Sequence, residues 1–250
     1  MELDVVPRLA ALAAWQRRLL YATGVLMTLA LVAGFVYAET PQRCDSLNEP
    51  QGCWSAPLSQ KLFYFHVPIA WTAYAAFAVL FVASLLQLID SGPGTQFWSD
   101  VVAVAGAEVG VLLTTLTLLS GMIWGEAEWG VPWRWNDVKL VMVFLLWLTY
   151  LGYLVLRAQV EAPDRRARLA AVYGLIGFIM VPLSWMAHRI WQRTLHPQPI
   201  VEGDLVTSSI RNAFFLSLVA FTLLGAWMVV AAIRMEASKR AVEEMQVVFP

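Results

Sequence analysis

Charge is scarce in this sequence: 14% of its 250 residues are Asp, Glu, Lys or Arg, against about a quarter in an ordinary soluble domain. Hydrophobic residues make up 59%, so lipid is the expected solvent for most of the surface. Net charge is scarce too. With 17 basic against 18 acidic residues the balance is −1, which gives nucleic acid no long-range attraction, and no nucleic-acid partner is expected. No glycine-rich phosphate loop followed by Lys-Ser or Lys-Thr occurs, so any coupling to ATP must come from another chain. No internal repeat or low-complexity tract is visible, and no connection between apolar runs is long enough to fold alone. The chain is read as one domain over residues 1–250.

What fills the space is apolar. A hydrocarbon core of about 30 Å needs roughly 20 apolar residues at 1.5 Å each, and six segments qualify: 19–38, 63–89, 101–123, 138–156, 169–187 and 213–233. The expected fold is an all-α integral membrane protein with six transmembrane helices and a tryptophan-rich outward loop after the third. Arg17-Arg18 followed by the first apolar run imitates a signal peptide, but the run is long and the cleavage point late, so it is read as a retained helix. Six crossings put both termini on one side. Basic residues are more numerous on that side, which predicts cytoplasmic termini in a bilayer whose lipid is the main neighbour.

Cysteine is limited to Cys44 and Cys53, both in the first outward loop with eight residues between them. In an oxidising compartment this spacing fits a loop-closing disulfide better than a redox or metal pair, which a CxxC spacing would have suggested.

Histidine is limited to three, and all fall on the outward side. His66 lies in Phe65-His66-Val67-Pro68 near the start of the second span, where proline is tolerated, while His188 and His196 follow the fifth. A lone interfacial histidine is usually only a polar headgroup-level residue. Here the histidines flank the stretch 124–137, which holds Trp124, Trp129, Trp133 and Trp135 with Gly125 and Gly130 between them. An aromatic belt spreads its indoles around a protein at both interfaces. Indoles concentrated in one loop suggest a flat platform for a large planar ligand. Neutral imidazoles are good axial ligands for haem iron, and the indoles would cover the macrocycle. Arg134, Arg189 and Arg193 are candidates for haem propionates, with headgroup contact as the plain alternative. Glu108 is the one acid well inside a span. It is either a functional group or a protonated, hydrogen-bonded one facing the bundle near Thr114, Thr115 and Thr117, and the second reading is preferred.

These residues resemble the cytochrome c maturation protein C (CcmC) family of haem-handling membrane proteins, over essentially the whole chain. The matches are Phe65-His66-Val67-Pro68, Ser120-Gly121 leading into Trp124-Gly125, Trp129-Gly130, Trp133 and Trp135, and Thr194-Leu195-His196. The resemblance implies that His66 and His196, rather than His188, bind the iron of haem b, and that Trp124, Trp129, Trp133 and Trp135 are the platform covering the macrocycle. The family's acid directly follows the last tryptophan, whereas here Asn136 stands there and Asp137 comes next. The outward cysteine pair is a second departure.

The resemblance further implies haem delivery at the periplasmic face of a bacterial inner membrane. The recipient would be a CcmE-type haem chaperone, beside a CcmD-type small membrane subunit and a CcmA/CcmB-type ABC transporter. No catalytic residue is assigned. Three rivals stand beside this reading. A haem lyase of the same superfamily usually has more helices. A cytochrome b subunit would place histidine pairs deep in facing helices, and none lies there. A permease for another solute would use Glu108 on its pathway.

Overall fold

The computed structural model describes residues 2–39, 57–191 and 207–248, and among them every regular element is a helix. In chain order these are α1 (Glu2–Val32), α2 (Phe63–Ile89), α3 (Pro93–Trp129), α4 (Val138–Gln159), α5 (Pro163–Gly177), α6 (Met180–Trp191) and α7 (Ser208–Val248). A π-helical turn, Ala33–Tyr37, closes α1, and a 3₁₀ segment, Pro57–Leu62, leads into α2. Six helical stretches are long and apolar enough to cross a membrane, α5 and α6 together forming the fifth. His196, Arg193, Cys44 and Cys53 lie outside the described residues.

The helices overrun the expected spans, because apolar length marks the lipid-embedded part and not where hydrogen bonding stops. α1 begins at Glu2, not 19, and α3 runs 93–129, not 101–123. The fifth span, expected as a single run, breaks between Gly177 and Met180. Pro182 has no N–H for the Phe178 carbonyl. The chain tightens there instead, with Ile179 N–H donating to Ile176 and Val181 N–H to Phe178.

α3 is the central helix, with more than half of its apolar stretch buried. It packs on α2 so closely that glycine is required. A Cβ on Gly106 would stand 2.8 Å from the Ala76 carbonyl oxygen and 2.9 Å from the Leu80 nitrogen, and one on Gly110 would meet the Phe77 ring at 2.3 Å. Phe77 in turn stacks on Tyr150 of α4 with centroids 3.8 Å apart. Gly106→Ala is therefore expected to cost about 1–3 kcal/mol by overpacking against backbone. The check is a lower thermal unfolding midpoint in detergent, with Gly94→Ala, where nothing lies within 4 Å, leaving the midpoint in place.

Two polar features fix the ends. On the terminus side, Arg157 of α4 grips Asp100 of α3 with both arms of its guanidinium, Nη1 to Oδ1 at 2.5 Å and Nη2 to Oδ2 at 2.9 Å. Arg240 of α7 reaches the same carboxylate at 2.9 Å and Glu236 at 2.7 Å. Asp100 and Arg157 are almost fully buried, so this triad is a desolvated tie among three helices. In the α2–α3 turn, the Gly92 N–H and the Thr95 hydroxyl hold the exposed Asp90 carboxyl below its ordinary range. On the other side, the Lys61 ammonium donates to the Phe35 carbonyl at 2.7 Å, and the Tyr64 hydroxyl to that of Glu39 at 3.1 Å. Both tie the end of α1 to the start of α2.

Candidate functional site

The alternation of crossings brings the start of α2, the end of α3, the start of α4 and the end of α6 to the end of the bundle opposite the termini. His66 occupies the first turn of α2 and leans onto α3. Its Nδ1 lies 2.9 Å from the Ser120 hydroxyl. That hydroxyl donates its own proton to the backbone carbonyls of Leu116 (2.8 Å) and Thr117 (3.1 Å). With that proton directed to a carbonyl the hydroxyl accepts from the ring, which is the tautomer carrying its proton on Nδ1. Gly121 makes room for the ring: a Cβ there would stand 3.2 Å from His66 Cε1. The Ser120-Gly121 pair thus positions and admits the imidazole. His66 is half-buried against a neighbouring helix, where the sequence had placed it at an open interface. Lys139 of α4 lies within electrostatic range of the ring.

The tryptophans divide. Trp124 and Trp129, expected in a loop, are on the last turns of α3, which continues through Gly125 and stops only at Gly130, in the left-handed conformation with φ 66°. Trp124 is buried and donates from Nε1 to Gln60 Oε1 at 3.3 Å. Its ring meets Trp129 edge-on, with centroids 5.0 Å apart at 84°. Gly125 lets the chain fold back, since a Cβ there would lie 3.3 Å from the Val131 carbonyl and 3.4 Å from that of Pro132. Trp133 and Trp135 form a second edge-on pair, at 5.5 Å, anchored on Phe144 of α4. The indoles therefore make two interlocked corners and not one flat platform. Trp135 is 71% exposed, while Trp124 is buried within the packing of this end. Arg134 lies over Trp129 at 5.4 Å and donates to its carbonyl at 3.4 Å.

Gln60 was not singled out by the sequence, yet it is the hub of this end. Buried, it accepts from Trp124 and donates to Glu128 Oε1 at 2.6 Å, while the Ser59 hydroxyl reaches the same oxygen at 3.0 Å. The last turn of α3 is thereby bolted to the segment before α2. A solitary glutamine ahead of an apolar run carries no periodic signal, so pattern alone could not have found it.

The displaced acid has a visible task. Asp137 is buried at the N-terminus of α4, where Oδ1 accepts from the Lys139 N–H (2.9 Å) and the Leu140 N–H (3.3 Å), while Asn136 is exposed. Asp137→Ala is expected to cost about 1 kcal/mol as a lost helix cap. Thermal unfolding checks it, with Asn136→Ala as the variant that changes nothing. Lys139 Nζ donates to the Ser184 carbonyl at 2.9 Å and to that of Trp185 at 3.3 Å, fastening α6 to α4. His188 is half-buried on α6, and Arg189 lies over Trp185 at 5.9 Å.

Glu108 departs from expectation. It is exposed on the outside of α3, and the threonine hydroxyls near it are spent on their own helix: Thr114 donates to Gly110, Thr115 to Val111 and Thr117 to Leu113.

Among the described residues no three His, Cys, Asp or Glu side chains gather to hold a bare metal ion. A macrocycle supplies its own equatorial nitrogens and asks of the protein only axial ligands, which is what an oriented imidazole can offer. A cavity of about 850 Å³ opens on the terminus side between α2 and α3, lined by Arg8, Trp98 and alanine and valine side chains, with no imidazole or thiolate in it.

Fold and site together define a multi-pass membrane protein that carries an oriented histidine and a tryptophan cluster at one end. The chain belongs to the heme exporter protein C family, whose model, described as CcmC, matches residues 6–248. It is similar to Heme exporter protein C of Bradyrhizobium diazoefficiens, 38% identical over 190 residues, covering 74% of this chain and 70% of that protein. The protein of the same name from Paracoccus denitrificans is 33% identical over 183 residues (72% and 74%), and that of Escherichia coli K12 is 25% identical over 234 residues (93% and 88%).

Proposed function

We propose that this protein holds haem b as cargo at the end of the bundle where His66 lies, and hands it on during cytochrome c biogenesis. The observation that carries the reading is the His66–Ser120 contact, which orients one imidazole at the end of the bundle that also carries the tryptophan cluster. His196 is the proposed second axial ligand. Trp135, Trp133 and Trp129 contact the macrocycle, with Trp124, Gly125, Gly130 and Asp137 shaping the surface and Arg134 and Arg193 meeting the propionates. When bound, the haem supplies the iron; the protein's own work is to orient the imidazole, shield the ring and keep one edge accessible.

The names of the relatives and the family support haem handling. In this reading the site faces the periplasm of a bacterial inner membrane, with both termini cytoplasmic. A CcmE-type chaperone receives the haem, and CcmD-type and CcmA/CcmB-type subunits are its neighbours. The protein acts as a carrier and not as an enzyme.

The test is an absorption spectrum of the purified protein, co-expressed with those neighbours, before and after reductant. A Soret band that shifts on reduction, with the sharp visible bands of six-coordinate haem, is the expected result. A protein that never carries haem under these conditions overturns the proposal.

A further inference from the structure

The cavity on the terminus side plays no part in the site above. Its walls are two helical stripes on either side of the α2–α3 hairpin: Ala75, Ala78, Val82 and Leu86 on α2, and Trp98 and Val102 on α3, each set at spacings of three or four residues. The short side chains of Ala75 and Ala78 help to leave the hollow open. Its volume of about 850 Å³ falls within the range of small-molecule sites, about 300–1,000 Å³.

The hollow is apolar along its length and charged at its mouth. Two hydroxyls line it, and both are spent: Thr95 on the Asp90 carboxyl and Ser99 on the Gln87 side chain. What faces the interior is therefore hydrocarbon. At the mouth, Arg8 of α1 lies over the Trp98 ring at 5.5 Å, and among the described residues it is the one charged side chain in the lining. Asp90, the acid of the same turn, is drawn back onto it, accepting from the Gly92 N–H at 2.8 Å.

The depth matches one half of a bilayer. Exposed apolar side chains on α2 continue through Val82, Leu85, Leu86, Leu88 and Ile89 and stop at the exposed Asp90, so the hydrocarbon boundary lies at the mouth. From Leu86 to Ala75 the helix climbs about 16 Å, close to half of a core of about 30 Å. Because Val82 and Leu86 are both exposed and part of the lining, the hollow opens sideways to the bilayer. The turn that joins its two walls also lines the mouth, through Gly92 and Pro93. A transmembrane helix lying here would have to continue past that turn. A lipid ends there, at its headgroup.

We propose that this groove binds one anionic diacyl phospholipid of the terminus-side leaflet, with its phosphate against Arg8 and its acyl chains between α2 and α3. A guanidinium at headgroup level pairs with phosphate and is repelled by the ammonium of an amine headgroup. Haem is a poor occupant, because the lining offers its iron no imidazole or thiolate. The lipid bridges α1 to the hairpin and stabilises the fold by binding it. None of this rests on the function proposed above.

The experiment titrates the delipidated full-length protein in detergent with phosphatidylglycerol or phosphatidylethanolamine and counts retained lipid by native mass spectrometry. One phosphatidylglycerol per chain should be held about fivefold more tightly than phosphatidylethanolamine, the scale of one basic residue near a membrane surface. Arg8→Gln should erase that preference and Arg8→Lys should keep part of it. Ala78→Trp, which fills the groove, should abolish the tight site, whereas Val25→Trp on the exposed face of α1 should leave it intact. Circular dichroism checks the fold of each variant. If Ala78→Trp does not fold, Val82→Trp, at an exposed position of the lining, takes its place. Equal retention of the two lipids overturns the proposal. So does a tight site indifferent to residues 8 and 78, or many weakly held lipids with no single tight one.

Discussion

His66→Ala is expected to bring the haem content of the purified protein down to background while the bundle stays folded. The imidazole is half-buried, and its hydrogen-bond partner Ser120 keeps its contacts to the Leu116 and Thr117 carbonyls when the ring is gone. Loss of fold is therefore not the cause. Ser120→Ala should give a graded version of the same defect. Removing the group that orients a metal-binding histidine typically lowers metal affinity about 10- to 100-fold, so this variant should retain haem weakly and with a broadened Soret band. His196→Ala belongs in the same series as the proposed opposite ligand. The measurement is haem per chain by absorbance, with circular dichroism as the fold control. A His66→Ala protein with wild-type haem content and Soret position would remove this residue from the ligand set.

The second large effect lies at the other end of the molecule. Asp100→Asn should destabilise the protein by about 3–5 kcal/mol, because it leaves the buried Arg157 guanidinium without its counter-charge. Denaturant or thermal unfolding in detergent reads it. A paired Asp100→Leu and Arg157→Leu replacement should recover most of the loss, since a buried ion pair exchanged for apolar packing is often nearly neutral. Arg240 keeps Glu236 as a partner in that background. If the single and paired variants unfold alike, the cost of a stranded charge is not what holds these helices.

The number of crossings was legible because each apolar run exceeds the core thickness, a constraint imposed by lipid and independent of packing. The helix ends were not. Trp124-Gly125 looked like the start of a loop, but a glycine ends a helix only where the backbone turns left-handed. That happens at Gly130, while Gly125 serves a close approach of the chain. The placement of His66 at one end was readable from alternation. Its partner was not, because the Ser120 contact depends on how far α2 slides along α3, which is decided by Gly106 and Gly110. Asp137 could be recognised as an acid near the tryptophans, yet its role as the cap of α4 emerges only once the helix start at Val138 is fixed. Glu108 was misread for a related reason: nearby threonines look like hydrogen-bond partners in sequence, but helical hydroxyls are easily satisfied by carbonyls one turn back.

The triad of Asp100, Arg157 and Arg240 has a further consequence for how the protein is made. Its members lie on α3, α4 and α7, so they leave the ribosome in sequence, with α7 last. Asp100 can take up Arg157 once α4 has emerged, but Arg240 is supplied only when α7 follows. Until then the early helices sit in the bilayer without their final tie. α7 is thus the latch on α3 and α4, and chains that stop short of it should be marked for degradation before they can be mistaken for finished protein.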